Sequence, residues 1–115
     1  MNSVAIMPND TASYPDDSFE NMKKISKQFG FGFPYLYDES QSVTQSYGAI
    51  CTPDFFGYNA ERELQYRGRF DDRGSKKNNN PNQSDLFKAM FSIARTKKGP
   101  ELQYPSFGCS IKWRK

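Results

Sequence analysis

Apolar positions recur at different spacings along the chain, and each spacing predicts an element. Ser3 to Met7 is a short apolar run halted by Pro8-Asn9-Asp10, which reads as a buried strand. Phe19, Met22, Ile25 and Phe29 follow at three- to four-residue intervals, with Lys23, Lys24 and Lys27 largely on the other side. That periodicity predicts an amphipathic helix with its apolar stripe in the core. Asp16-Asp17-Ser18 offers N-cap candidates and acidic groups at the positive end of the helix dipole, and Gly30 is placed as the stop.

Phe33-Pro34-Tyr35-Leu36-Tyr37 is a short extended piece, because a residue before proline is held away from helical backbone. A two-turn helix is predicted from about Ser40 to Tyr47, where Val43 and Tyr47 lie one turn apart and Gly48 ends it. Asp54 to Asn59 and Leu64 to Phe70 read as the arms of an antiparallel hairpin joined through Ala60-Glu61-Arg62-Glu63. In the second arm Leu64, Tyr66, Gly68 and Phe70 share one face, and Gln65, Arg67 and Arg69 take the other, which is either solvent-facing, the preferred reading for the two arginines, or crosses a site. Residues 71–82 form a polar, biased connector expected to be mobile. Beyond it Asn82 or Ser84 caps a further amphipathic helix, whose apolar face is read as Leu86, Phe87, Met90, Phe91 and Ala94 and whose end falls near Lys97-Lys98-Gly99-Pro100. In the tail, Ile111 and Trp113 are the candidate anchors.

A chain of 115 residues makes one small domain, and ten Phe, seven Tyr and one Trp supply material for its core. Charge is uneven. Up to residue 87 nine Lys/Arg face twelve Asp/Glu, giving −3, whereas from residue 88 onward seven face one, giving +6. The basic end is therefore the C-terminal tail, for which a solvated terminus is preferred over an anion-binding patch. With no histidine, Cys-His and Ser-His catalytic pairs and histidine metal sites are excluded. Two cysteines, Cys51 and Cys109, make neither a CxxC nor a zinc pattern. No run reaches the length of a membrane span, and the first residues lack a signal-peptide pattern, so the chain reads as cytoplasmic.

Thr52-Pro53 is the stretch around which these elements are arranged. Pro53 either marks the start of a strand, where its missing N–H is harmless, or belongs to a cis bond that exposes backbone for an extended ligand. Cys51 beside it has three readings: a small buried apolar residue, a resolving thiol for a nucleophile elsewhere, or an independent redox thiol. Cys109 divides between tail packing and an accessory thiol.

Taken together, Asn9-Asp10, Tyr14-Pro15-Asp16-Asp17-Ser18, Phe33-Pro34-Tyr35-Leu36-Tyr37-Asp38, Tyr47-Gly48-Ala49, Cys51-Thr52-Pro53-Asp54-Phe55-Phe56, Tyr66-Arg67-Gly68-Arg69-Phe70-Asp71-Asp72 and Gly108-Cys109-Ser110-Ile111-Lys112-Trp113 resemble the peroxiredoxin-like branch of the thioredoxin superfamily, in the alkyl hydroperoxide reductase/thiol-specific antioxidant group. The resemblance implies an α/β, thioredoxin-like fold of which this chain is the β-α-α-β-β-α half. It implies that Pro53 is the cis-proline and that Thr52 presents backbone to the reactive thiol. It also implies thiol-dependent peroxide or disulfide reduction, without a cofactor or metal, with a thiol or disulfide protein as partner.

The departure is as informative. The nucleophilic cysteine of such proteins starts a helix upstream of the strand matching Ser3 to Met7, where this sequence has only Met1-Asn2. A thiolate needs such a helix start, or a cation, to lower its pKa. The expectation is thus a truncated domain over residues 1–98 with a basic tail over 99–115, inactive alone and completed by an upstream fragment or by self-association. The alternative function is a small nucleic-acid-binding or interaction module using the basic tail and exposed aromatics.

Overall fold

The computed structural model describes residues 2–72 and 84–114. Two units account for the chain, Met1–Ala49 with Ile111–Lys115, and Ile50–Ser110. The expected mobile connector lies, from residue 73 to 82, outside the described residues, while Asp71 at its start is buried.

In the first unit, strand β1 (Ala5–Met7) leads through a 3-10 turn (Pro15–Asp17) into helix α1 (Phe19–Phe29), then strand β2 (Tyr35–Tyr37) and helix α2 (Ser42–Tyr47). β1 and β2 pair in parallel, Ile6 opposite Leu36, with α1 as the crossover. The Ser18 hydroxyl caps α1 by accepting from the Asn21 N–H at 3.2 Å, and Gly30 closes it in the left-handed conformation at φ 62°. The apolar stripe departs from its reading as core. Met22 is buried, but Phe19, Ile25 and Phe29 are exposed, Phe29 to 68%. Phe31 instead stacks on Phe33 at 4.8 Å and meets Tyr35 edge-on at 5.5 Å.

What this unit buries is largely polar and hydrogen-bonded. Asp10, Asp38, Gln41 and Thr44 are buried alongside Met22 and Ile111. The Gln41 amide donates to the Pro8 carbonyl at 2.9 Å and the Lys112 carbonyl at 3.0 Å, and its oxygen accepts from the Arg114 N–H at 3.0 Å. Lys112 N–H donates to the Asn9 side chain at 2.9 Å, and its carbonyl accepts from the Asp10 N–H at 2.7 Å. Residues 111–114 are therefore fixed by backbone bonds with Ile111 buried beneath them, which departs from the reading of a solvated terminus. Trp113, the other candidate anchor, stays exposed.

The second unit holds strands β3 (Cys51–Thr52), β4 (Phe55–Tyr58) and β5 (Leu64–Gly68), helix α3 (Asp85–Thr96) and strand β6 (Cys109–Ser110). The Thr52-Pro53 bond is cis. β4 and β5 form the expected antiparallel hairpin, Phe56 opposite Arg67 and Gly57 opposite Tyr66, with an irregularity at Gly57/Tyr58. Its loop is organised by buried Asn59, whose side-chain oxygen accepts from the N–H groups of Glu61 and Glu63 at 3.0 and 2.9 Å. Ser84 caps α3, accepting from the Phe87 N–H at 3.1 Å.

Tyr66, Ala89 and Ile93 are the buried core, with Phe55, Leu86 and Met90 packed against it. The helix face thus turns on Ala89 and Ile93. Phe87, Phe91 and Ala94, expected inside, are exposed, and Phe87 and Phe91 stack on each other outside with Arg95 over the Phe91 ring. Gly57 lies close beneath this helix: a Cβ there would lie 2.5 Å from Met90 Sδ, so the Met90 side chain would have to shift to admit one. The hairpin's second arm keeps Tyr66 and Gly68 inward as expected, but Leu64 and Phe70 at its ends are exposed. Arg69 is not solvent-facing: it pairs with Asp85 and lies over Tyr104 at 4.3 Å from the ring centroid. The chain is a small mixed α/β protein, and among the described residues its strands form three two-stranded sheets. No helix among them is long and apolar enough to cross a membrane.

Candidate functional site

β3 is only two residues long, and its partner is the tail. Cys51 pairs with Ser110 and Thr52 with Cys109, antiparallel. Directly opposed residues of an antiparallel pair share a face and successive residues alternate, so Cys51 and Cys109 are diagonal neighbours with side chains on opposite faces. Cys51 is buried and Cys109 exposed, both as free thiols. A disulfide needs Cβ atoms about 3.8 Å apart with converging bonds, and this register denies it. The expectation that Thr52 offers open backbone to an incoming group is modified in the same way: Cys109 of the tail is its ladder partner. Gly108 permits that approach, because a Cβ there would lie 2.2 Å from the Thr52 carbonyl oxygen.

The residues after β3 surround the buried thiol. Cys51 Sγ lies 3.8 Å from the Pro53 carbonyl. Asp54, its side chain only 5% exposed, accepts from Ser106 Oγ at 2.8 Å and pairs with Arg67 at 3.5 Å. The Arg67 guanidinium also lies over the Phe56 ring, 5.1 Å from its centroid, and the Arg67 N–H donates to the Gln103 side chain at 2.9 Å. Burial pushes the Cys51 thiol above its usual range; the Asp54 carboxylate adds to the rise and Arg67 opposes it. Cys51 is thus held as a protonated thiol beside an ion pair, the reverse of what an attacking thiolate requires. Among the described residues no group of three or more Cys, Asp or Glu side chains is placed to hold a metal ion.

Sequence reading brought Cys51, Thr52, Pro53 and Cys109 into view, and the structure sets Cys51, Thr52 and Cys109 in the β3–β6 pair with Pro53 directly after β3. It missed Asp54, Arg67 and Ser106 as a set. Arg67 had a signal, because the hairpin register places it opposite Phe56, two residues from Asp54. Ser106 had none, since no local pattern relates it to Asp54.

These environments predict unequal thiols. Under iodoacetamide near pH 8, Cys109 should be alkylated about tenfold faster than Cys51 or more, because one is exposed and the other is buried and protonated. Asp54→Asn should move the pH midpoint of Cys51 alkylation down, and Arg67→Gln should move it up. Peptide mass mapping of the two sites reads both effects. Equal rates at the two cysteines in the unaltered chain would contradict the geometry.

No family model matches this chain, and no curated protein matches it. Solved structures do. A hypothetical protein from Sinorhizobium meliloti superposes with a TM-score of 0.90 at 44% identity, over 98% of this chain and 62% of its own. An uncharacterized conserved protein from Geobacillus kaustophilus gives 0.89 at 42% identity, over 98% of this chain and 60% of its own. The chain shares its fold with these two proteins and spans about three fifths of their length.

Proposed function

We propose that this chain is the groove-forming half of a thiol-dependent redox protein of the thioredoxin and peroxiredoxin-like kind, with the thioredoxin-like β-α-α-β-β-α half as its fold. The observation that carries the reading is Cys51 held beside Pro53 and the Asp54–Arg67 pair, within the same Cys51–Phe56 stretch that carries the sequence resemblance. In this reading Cys51 is not the attacking group. Its protonated thiol lines the groove, while an activated thiolate supplied by another stretch of polypeptide attacks the peroxide or disulfide. The partner is a thiol or disulfide protein, no cofactor is needed, and a reducing, cytoplasmic setting keeps Cys51 and Cys109 as free thiols.

The test is turnover with hydrogen peroxide and with a small disulfide, in the presence of a thiol reductant. The longer Sinorhizobium meliloti protein should turn over one of them and lose the activity on alkylation, whereas the present chain alone should turn over neither. Turnover by this chain that disappears in Cys51→Ser would move the nucleophile to Cys51. Inactivity of the longer protein toward both substrates would overturn the redox reading.

A further inference from the structure

The tail between Gln103 and Ile111 is a strap fastened at both ends. Gln103 pins one end, its amide donating to the Gln65 carbonyl at 2.8 Å and its oxygen accepting from the Arg67 N–H at 2.9 Å. Ile111, at the other end, is buried. Between them no residue from Tyr104 to Ser110 is buried, and the two large rings, Tyr104 and Phe107, are 44% and 49% exposed. Polar contacts hold this stretch to its unit. The Arg69 N–H donates to the Tyr104 carbonyl at 3.1 Å, Ser106 Oγ donates to Asp54 Oδ1 at 2.8 Å and to the Gly68 carbonyl, and Cys109 and Ser110 pair with Thr52 and Cys51. A hydroxyl has one proton to give, so Ser106 serves its two acceptors in turn. A segment with exposed backbone bonds and little buried apolar surface belongs to the low end of local stability, and it opens while the core stays folded.

What the strap lies against is the surroundings of the buried thiol. β3 has two residues, and among the described residues its one strand partner is β6. Asp54, with its side chain only 5% exposed, has Oδ1 engaged by Ser106. Lifting the strap therefore takes Cys51 and Thr52 out of their ladder and the Ser106 hydroxyl away from Asp54 in one movement. We propose that Tyr104 to Ser110 form a gate over Cys51, latched by Ser106, and that an incoming thiol or disulfide group reaches that thiol with the strap lifted. As regulation of this site the proposal rests on the redox reading above, but the gating itself is measured without turnover.

The test alkylates the complete chain with iodoacetamide and follows amide exchange at β3, β6 and α3. Ser106→Ala removes the latch alone and should raise Cys51 alkylation and β3–β6 exchange together by about fivefold, the worth of one hydrogen bond. Gly108→Ala should raise both by about tenfold or more, because its Cβ would lie 2.2 Å from the Thr52 carbonyl oxygen, a backbone atom that cannot swing aside. Exchange at Ala89 and Ile93 of α3, and alkylation of the already exposed Cys109, should stay within about twofold of the unaltered chain. Unchanged Cys51 alkylation in Ser106→Ala overturns the proposal. So does faster alkylation without faster β3–β6 exchange, which would mark a more acidic thiol rather than an opened strap. A rise matched in α3 also overturns it, because access would then come from unfolding of the whole unit. If Gly108→Ala loosens α3 as well, Ser106→Ala decides, since it deletes one hydroxyl outside the buried core.

Discussion

Tyr66→Ala is expected to destabilise the second unit by about 3 to 5 kcal/mol, the range for removing a large aromatic side chain from a core. Tyr66 is 2% exposed and is the centre of a cluster whose other buried members, among the described residues, are Ala89 and Ile93. Its ring lies where β5 meets α3, with Gly57 opposite on β4 and Phe55, Leu86 and Met90 around it. A cavity there has few neighbours able to fill it. Its phenol donates to the Arg69 carbonyl, and burial, with the Asp85 carboxylate adding and Arg69 opposing, keeps that phenol protonated above its usual range. Tyr66→Phe should therefore cost less, about 1 kcal/mol for one hydrogen bond. Small domains have about 5 to 15 kcal/mol of net stability, so the alanine variant approaches the limit of folding. Urea unfolding followed by far-ultraviolet circular dichroism, with amide exchange over residues 50–110, reads both variants. A loss below about 1 kcal/mol for Tyr66→Ala would show that the α3–hairpin contact is not the core.

Asp38→Ala is expected to cost the first unit about 3 kcal/mol, because it removes several hydrogen bonds to one buried carboxylate. The N-cap of helix α2 is Gln41, whose side chain gives no cap bond. Asp38 takes that place, accepting from the N–H and the hydroxyl of Thr44, both at 2.7 Å. Burial by itself would raise the Asp38 pKa, but the bonds from Thr44, Val43 and Gln41 outweigh it and hold the carboxyl below its ordinary 3.8. A carboxyl whose folded pKa is depressed contributes stability above its unfolded value and loses it as pH falls through the folded value. Acidification below about pH 4 should therefore weaken this unit, and Asp38→Asn should flatten that part of the pH dependence. Amide exchange at α2 and urea midpoints across that range measure the slope. An identical acid slope in Asp38→Asn would place the sensitive group elsewhere.

Helix α1 with its Ser18 cap and Gly30 stop, helix α2 with its Gly48 stop, the Ser84 cap of α3 and the β4–β5 hairpin were legible in the sequence. Each is specified by residues a few positions apart, through period, cap and turn, so spacing alone carries it. Proline placement likewise marked Thr52-Pro53. The same local code does not say which apolar stripe finds a cover. Phe19, Ile25 and Phe29 keep helical period yet lie exposed, while α3 buries Ala89 and Ile93 and leaves Phe87 and Phe91 outside. Nor does it link distant backbone. The pairing of Cys51 with Ser110, the bond from Ser106 to Asp54 and the hold of Asn9 and Gln41 on Lys112 join positions tens of residues apart. Only the folded chain brings those donors and acceptors within reach. It thereby decides that the two thiols face opposite ways and that Cys51 is kept protonated, because burial and a neighbouring carboxylate are properties of place rather than of sequence.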